Sequence, residues 1–237
     1  MDLLNKSAVV TGASKGLGQA IASALCTHGV KVYGIGRDIQ KLNQLKSSLG
    51  HLFVPVQLDI TKQEEIVNWA NQTFTNNIGP DILINNAGIG SFHSIEHTET
   101  ATWHKIMDTN VNGMYYITRA MVGFMKQKNT YCHIINIGSI MGKVGKADST
   151  AYSASKFAVQ GFSESLFLEL RYNKIKVTCV NPGSIQTDFF DNTGIQSHKN
   201  MLQPNEVADT IIHILKTPDN VLISEITLRP LNPTYTT

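Results

Sequence analysis

The sequence predicts an α/β fold in which one doubly wound parallel sheet is covered by helices on both faces. Short runs rich in Val and Ile alternate with longer amphipathic stretches to the end of the chain, which is typical of buried parallel strands joined by helices. The chain has 237 residues, of which 42% are hydrophobic and 16% charged. This length suits one well-packed domain better than two. We therefore expect residues 1–237 to form a single domain.

The elements follow from this alternation, because each short apolar run predicts a strand and each longer amphipathic stretch predicts a helix. We expect strands at residues 7–11, 31–35, 53–58, 82–85, 133–137, 176–180 and 221–228. We expect helices at residues 16–28, 38–49, 62–76, 98–126, 151–172 and 205–216.

The segment 183–203 departs from the alternation. It has no strong period, contains Phe189, Phe190 and Ile195, and follows the carboxyl end of a predicted strand. Long connections of this kind are more often lids or binding loops than spacers, and open α/β sheets bind ligands at this edge. We expect a substrate lid over residues 183–203.

The composition excludes several function classes. With 20 basic and 18 acidic side chains, the net charge of +2 does not indicate a nucleic-acid partner. Cys26, Cys132 and Cys179 are an odd number at wide spacing, which favours buried fillers in a reducing compartment over a disulfide framework. The first residues lead directly into a strand, and no run of eighteen apolar residues occurs. We expect a cytoplasmic protein that makes no membrane contact.

Three glycines, Gly12, Gly16 and Gly18, lie between the first strand and the first helix. Glycines there permit a tight turn and let the backbone and the helix N-terminus approach a pyrophosphate. The spacing is GxxxGxG rather than GxGxxG, so an ordinary strand-to-helix turn remains an alternative.

The end of the second strand indicates which dinucleotide would bind. Dinucleotide sites that hold a free ribose have an acidic residue about 20 positions beyond the glycines. This chain has Gly36 and Arg37 there, and Lys15 lies within the turn. A guanidinium pairs well with a 2'-phosphate, which favours NADP over NAD. The alternatives are that both cations are solvated and that Asp38 turns toward the ribose.

Tyr152 and Lys156 lie four residues apart at the start of a predicted helix, so their side chains share one face. A neighbouring ammonium would lower the pKa of the phenol toward neutrality and make Tyr152 a general acid or base. A tyrosine and a lysine at this spacing are also common as a surface pair.

Five features occur in a fixed order along the chain. They are Thr11 with glycines at 12, 16 and 18; Asn85-Asn86-Ala87-Gly88; Ser139; Tyr152 with Lys156; and Pro182-Gly183. This order resembles the short-chain dehydrogenase/reductase family over nearly the whole chain. Within it, the chain is similar to NADP-preferring reductases related to 3-oxoacyl carrier-protein reductases, sepiapterin reductases and 3-hydroxy acid dehydrogenases. The resemblance implies a Rossmann-type, seven-stranded sheet in the order 3-2-1-4-5-6-7.

The resemblance also implies four catalytic residues. Tyr152 would give a proton to a substrate carbonyl, and Ser139 would hydrogen-bond the same oxygen. Lys156 would hold the nicotinamide ribose. Asn110 would match the family's helix-kinking asparagine, and its backbone carbonyl would hold a water that connects Lys156 to solvent. The structural alternatives are a strand-end cap for Ser139 and a helix-interior hydrogen bond for Asn110.

The NADP contacts implied by the resemblance extend along the chain. They are Gly12, Ser14, Lys15, Gly16, Leu17, Gly18, Arg37, Asp59, Ile60, Asn86, Ala87, Gly88, Tyr152, Lys156, Pro182, Gly183, Ile185 and Thr187. Asp59 could instead cap the following helix.

The implied reaction is NADP(H)-dependent interconversion of a carbonyl and a secondary alcohol by hydride transfer. The alternative is a non-catalytic NADP-binding sensor or scaffold on the same fold. Ile140, Met141 and Phe189 predict a partly apolar pocket for a small-molecule substrate whose identity stays open. Family members commonly form homodimers or homotetramers through the helices that here carry Asn110 and Tyr152.

One further motif points to different chemistry. His93, Glu96 and His97 match the H-x-x-E-H pattern of zinc peptidases, which requires a stable helix and a third ligand. Here the motif lies in a predicted loop. We expect no metal site and place both histidines on the rim of the substrate cleft.

Overall fold

The computed structural model describes residues 1–75, 78–128, 130–190 and 197–232. A seven-stranded parallel sheet runs through them in the order β3-β2-β1-β4-β5-β6-β7, as predicted. The strands are β1 (Ser7–Thr11), β2 (Lys31–Gly36), β3 (Phe53–Gln57), β4 (Ile82–Asn85), β5 (Cys132–Ile137), β6 (Ile175–Pro182) and β7 (Glu225–Leu228).

Helices cover both faces of this sheet. They are α1 (Gly16–Thr27), α2 (Ile39–Leu49), α3 (Gln63–Thr73), α4 (Thr100–Met107), α5 (Met114–Gln127), α6 (Thr150–Leu170) and α7 (Pro204–Leu215). One apolar cluster joins the sheet to α1, α2 and α7, and a second joins it to α3, α5 and α6. Ala8 and Val10 of β1 enter the first cluster and Val9 enters the second. Because successive side chains point to opposite faces, a strand buried on both sides needs the uninterrupted apolar run seen in the sequence.

The predicted helix 98–126 is divided. A π-helical turn, Asp108–Gly113, separates α4 from α5. The Asn110 side chain accepts a hydrogen bond from the Ile89 amide and donates one to the Ile89 carbonyl. A Cβ at Gly113 would lie 2.8 Å from the Ile60 side chain. Tertiary contacts therefore hold this turn beside the sheet, and π-helical turns are frequent at functional sites.

The boundaries of the other elements differ less from the predicted ones. The last strand begins at Glu225 rather than at residue 221, and α3 ends at Thr73, while the predicted helix end at Asn76 lies outside the described residues. The predicted lid contains a 3-10 turn, Asp188–Phe190, and Ile185 pairs with Leu202 through an isolated parallel bridge. Ile195 lies outside the described part of the chain.

None of the helices described in this structure combines the length and the apolar character needed to cross a membrane.

Candidate active site

A cavity of about 680 Å³ opens at the carboxyl ends of the strands. Its lining comes from the glycine turn, the ends of β2, β4, β5 and β6, the start of α6 and the 3-10 turn that contains Phe189. All the predicted catalytic, cofactor and substrate residues line this cavity except Asn110. The topology explains the position, because β1 and β4 are neighbours while the connections after them lead to opposite sides of the sheet.

The glycine turn allows very close backbone packing. Gly12 and Gly16 have φ angles of 66° and 57°, in the left-handed region that favours glycine. A Cβ at Gly18 would lie 2.2 Å from the Gly12 carbonyl oxygen and 2.5 Å from Asn86 Nδ2. The N-cap residue Lys15 makes no side-chain cap hydrogen bond, and the next three residues line the cavity. The first amides of α1 are thus placed to receive an anion such as a pyrophosphate.

Thr11 and Asn86 connect the glycine turn to the end of β4. The backbone amides of Asn86 and Ala87 each donate to Thr11 Oγ1 at 3.0 Å. Asn86 Nδ2 donates to the Thr11 carbonyl at 2.9 Å. These bonds satisfy backbone groups at the point where the strands separate, and they hold one wall of the cavity.

The cations predicted to read a 2'-phosphate lie at the same end. Arg37 is exposed and lines the cavity, while Lys15 Nζ lies 3.5 Å from Asp188 Oδ2. Asp38 accepts a hydrogen bond from the Lys41 amide at 3.1 Å and caps α2, so its carboxylate is engaged there rather than turned toward a ribose. The arrangement fits a phosphorylated ribose better than a free one.

Asp59 does not cap α3, whose N-cap residue is Lys62. Asp59 lines the cavity, and its Oδ1 also accepts hydrogen bonds from the amide and hydroxyl of Thr61, each at 2.9 Å. The carboxylate therefore closes the turn before α3 while remaining at the cavity wall.

The side chains of Ser139, Tyr152 and Lys156 converge at the other end of the cavity, and all three residues are buried. The Ser139 hydroxyl acts on the Tyr152 phenol as a hydrogen-bonding neighbour that favours its ionised form. The Met141 amide donates to Ser139 Oγ at 3.1 Å. Besides accepting this bond, the serine hydroxyl has an O–H that can donate to a group in the cavity.

The predicted effect of Lys156 on the phenol is wrong for this structure. Burial raises the pKa of Tyr152 to about 12, although the Ser139 hydroxyl acts in the opposite direction. Burial also lowers the pKa of Lys156 to about 8. Lys156 Nζ donates to the Ile137 carbonyl at 2.8 Å and lies 5.7 Å from the centre of the Tyr152 ring. Loss of water around the phenol therefore has the largest effect on its pKa, and Tyr152 keeps its proton at neutral pH.

Asn110 lies behind the cavity wall. Besides its two bonds to Ile89, its Nδ2 donates to Ser155 Oγ at 3.0 Å, and Ser155 Oγ donates to the Tyr152 carbonyl at 2.7 Å. The Asn110 side chain thus bonds to two other segments of the chain and does not make the helix-interior bond considered as its structural alternative. These bonds connect the π-helical turn to the helix that carries Tyr152.

Sequence reasoning missed one wall of the cavity. The Phe92 ring lies 5.6 Å from the Tyr152 ring and 6.5 Å from the Phe190 ring, measured between ring centres. In the sequence, the only local signal for this wall is that the aromatic residue Phe92 follows the glycine-rich segment after β4. Ser91, Thr102, Lys105, Lys146 and Ser184 also line the cavity and were not predicted.

The motif His93, Glu96 and His97 does not form a metal centre. Ile95–His97 is a single 3-10 turn, and His97 Nδ1 lies 2.8 Å from Ser94 Oγ. Neither histidine lines the cavity itself, although Phe92, directly before His93, does, and their place on its rim stays a prediction. No group of three His, Cys, Asp or Glu residues in the described ranges is arranged to hold a metal ion.

Comparison with known proteins identifies close relatives over the whole chain. A family model described as short chain dehydrogenase matches residues 6–197. An oxidoreductase of Staphylococcus aureus is 36% identical over 97% of this chain and 99% of its own. A serine dehydrogenase complexed with NADP+ has a TM-score of 0.87 and 29% identity, covering 98% of this chain and 97% of its own. A 3-ketoacyl-(acyl-carrier-protein) reductase from Brucella melitensis complexed with NADH has a TM-score of 0.88 and 25% identity, covering 97% and 98%.

The glycine turn generates a first prediction. Gly18→Ala places a methyl group against the Gly12 carbonyl, so we expect destabilisation of about 1–3 kcal/mol and at least tenfold weaker NADPH binding. Thermal denaturation and fluorescence titration measure the two effects. Gly123→Ala is the control, because nothing lies within 4 Å of a Cβ there, and this helix substitution should stabilise by about 0.5–1 kcal/mol. Unchanged NADPH binding in Gly18→Ala would contradict the close approach at this turn.

Proposed function

The chain belongs to the short-chain dehydrogenase family, and we propose that it is an NADP(H)-dependent oxidoreductase that interconverts a carbonyl and a secondary alcohol. The proposal rests on one observation above all. A hydroxyl, on Ser139, and a protonated phenol, on Tyr152, lie together in the cavity whose opposite end is a glycine turn suited to a pyrophosphate. We propose that the segment 183–203 forms its substrate lid.

The two hydroxyls act on the same substrate oxygen. During reduction the carbonyl carbon gains a hydride and its oxygen becomes an alkoxide, which Ser139 stabilises by hydrogen bonding and Tyr152 neutralises by giving its proton. Oxidation reverses both transfers. When bound, the nicotinamide supplies or accepts the hydride. Since the raised pKa keeps the phenol protonated at neutral pH, the described state is ready for reduction.

Lys156 contributes both to cofactor binding and to proton supply. Its ammonium is held by the Ile137 carbonyl next to the phenol, where we propose that it binds the nicotinamide ribose hydroxyls. Its pKa of about 8 allows it to take up or release a proton near neutral pH, as resupply of the Tyr152 proton requires. We further propose that the Asn110 carbonyl holds a water on this route.

NADP is the proposed cofactor. The support consists of Arg37 at the end of β2, Lys15 in the glycine turn, and the engagement of Asp38 as a helix cap. One structural relative is complexed with NADP+ and another with NADH, so proteins of similar structure bind either cofactor.

We propose a homodimer or homotetramer as the assembly. The two helices named by the family resemblance expose large apolar side chains, Tyr115 on α5 and Phe157 and Leu168 on α6. A helix-to-helix contact between two copies would cover them.

The catalytic role of Tyr152 generates a second prediction. Tyr152→Phe removes the transferable proton, so we expect NADPH-dependent carbonyl reduction to fall at least about 100-fold, with the Kd for NADPH changed less than about threefold. Steady-state assays and fluorescence titration measure these quantities. Tyr172→Phe removes the hydroxyl of an exposed tyrosine and should change neither. Wild-type turnover in Tyr152→Phe would rule out the assigned role, and NADPH binding without reduction of any carbonyl by the unmodified protein would favour a sensor.

The cofactor proposal generates a third prediction. Arg37→Ala removes a charge-assisted contact to the 2'-phosphate, so we expect KM for NADPH to rise about 10-fold to 100-fold while KM for NADH stays constant. Lys46→Ala removes an exposed cation from the last turn of α2 and should alter neither value. Kinetics with both cofactors provide the measurement, and equal use of NADH and NADPH by the unmodified protein would contradict the proposal.

A further inference from the structure

We propose that the substrate carries an aryl or extended alkyl or alkenyl group beside its reacting carbonyl, and that Phe92, Phe189 and Phe190 form the binding surface for that group. This inference rests on the proposed oxidoreductase function and specifies its substrate class. We call these three side chains the phenylalanine wall.

The wall surrounds the group that transfers the proton. The rings of Phe92 and Phe189 lie 5.6 Å and 5.8 Å from the Tyr152 ring, measured between ring centres. Phe190 completes the cluster, 5.3 Å from Phe189 and stacked 6.5 Å from Phe92. A substrate oxygen that reaches the phenol therefore brings its neighbouring atoms against aromatic carbon.

The wall is assembled from two separate segments that fit one another. Phe92 follows β4, whereas Phe189 and Phe190 belong to the 3-10 turn after β6. A Cβ at Gly90 would lie 2.6 Å from Phe189 Cζ and 3.4 Å from Phe92 Cε2. The absence of a side chain at Gly90 thus lets the Phe189 ring rest on the backbone of the opposite segment.

The chemistry of this surface selects against polar substrates. Hydroxyl or carboxylate groups placed against the rings would lose hydrogen bonds to water, whereas each buried methylene group improves affinity roughly fourfold. Two polar side chains of the cavity, Ser139 and Tyr152, are committed to the reacting oxygen, and Asp188, beside Phe189, is paired with Lys15. Lys146, which also lines the cavity, is exposed to solvent, so its charge is solvated rather than directed at a buried anion.

The substrate class is tested by NADPH-dependent reduction of 2-butanone, 2-hexanone, 2-octanone and 4-phenyl-2-butanone, compared with dihydroxyacetone and 3-oxobutanoate. We expect kcat/KM to rise at least tenfold from 2-butanone to 2-octanone and to be lowest for the two polar ketones. Phe92→Ala should reduce this chain-length dependence at least threefold. Tyr172→Ala, which truncates an exposed ring just after α6 that does not line the cavity, should preserve it.

Preference for dihydroxyacetone or 3-oxobutanoate, or an unchanged chain-length dependence in Phe92→Ala, would overturn the substrate class while leaving the proposed function intact. NADPH binding without reduction of any of the six ketones would contradict the proposed function itself, and the substrate class with it.

A different set of contacts supports a second inference. We infer that Asn181 is a positioning residue for Ser139 and that Gln160 and Glu225 set its orientation. The backbone amide of Ser139 donates to Asn181 Oδ1 at 3.1 Å. Asn181 is completely buried, and a Cβ at Gly138 would lie 2.0 Å from its Oδ1. The amide side chain therefore occupies the space beside Gly138 and holds the backbone just before the serine hydroxyl.

A chain of hydrogen bonds determines which way this amide points. The Glu225 carboxylate pairs with Lys143 through one oxygen, and Gln160 donates from its Nε2 to the other, Oε2, at 2.7 Å. The Gln160 Oε1 must then accept from Asn181 Nδ2, at 2.9 Å. The other amide atom of Asn181, Oδ1, therefore faces the backbone amide of Ser139. Lys143, through its pairing with Glu225, fixes the outer end of this chain of hydrogen bonds.

Asn181→Leu removes the acceptor for the Ser139 amide. Because small displacements of reacting groups are costly, we expect kcat to fall at least tenfold with the Kd for NADPH within twofold of wild type. Thr178→Val is the matched control, since Thr178 is also a buried polar side chain of β6 but bonds His133 and the Ile223 carbonyl instead. It should lower the thermal midpoint without lowering kcat.

Glu225→Gln provides a milder variant at a partly exposed position, where an amide can either donate or accept and no longer fixes the direction of the chain. We expect kcat to fall at least threefold with an unchanged KM for NADPH and a thermal midpoint no lower than that of Thr178→Val. Wild-type kcat in both Asn181→Leu and Glu225→Gln, or an equal loss of kcat in Thr178→Val, would overturn the inference.

Discussion

The hydroxyl of Thr11 holds together the two strands between which the site opens. It accepts hydrogen bonds from the amides of Asn86 and Ala87, while the Asn86 side chain returns a bond to the Thr11 carbonyl. Here β1 and β4 are neighbours whose following connections leave toward opposite sides of the sheet, so the backbone lacks ladder partners. The glycine turn and the end of β4 keep their separation because these bonds replace the missing ladder.

Burial governs the chemistry at the other end of the cavity. The same removal of water raises the pKa of Tyr152 and lowers that of Lys156, because it disfavours the charged form of each group. The phenylalanine wall contributes to this environment, and Asn110 and Asn181 satisfy buried backbone groups near the catalytic side chains. Rigid partners and exclusion of water act together, which is the condition under which fixed hydrogen-bond donors stabilise developing charge best.

Local patterns were sufficient for most of the fold and for the glycine turn that lines the cavity. The apolar runs located all seven strands, and the ordered motifs, through the family resemblance, implied their order in the sheet. The apolar pattern placed one helix at 98–126 and only the family resemblance implied a kink at Asn110, because the interruption depends on bonds between Asn110 and Ile89, twenty-one residues apart. Of the phenylalanine wall, Phe189 and Phe190 were expected in the lid, but Phe92 was not. Phe92 contacts Phe190 through tertiary structure, and no period in the sequence connects the two.

The sequence by itself determined the sheet, the glycine turn, Arg37 after β2 and the presence of Ser139, Tyr152 and Lys156, because each depends on nearby residue types and spacing. Only the tertiary structure decided the protonation state of Tyr152, the role of Asp38 as a helix cap and the chain from Glu225 to Ser139. The physical reason is that dehydration and hydrogen-bond direction depend on every group packed around an atom, and those groups come from distant parts of the chain.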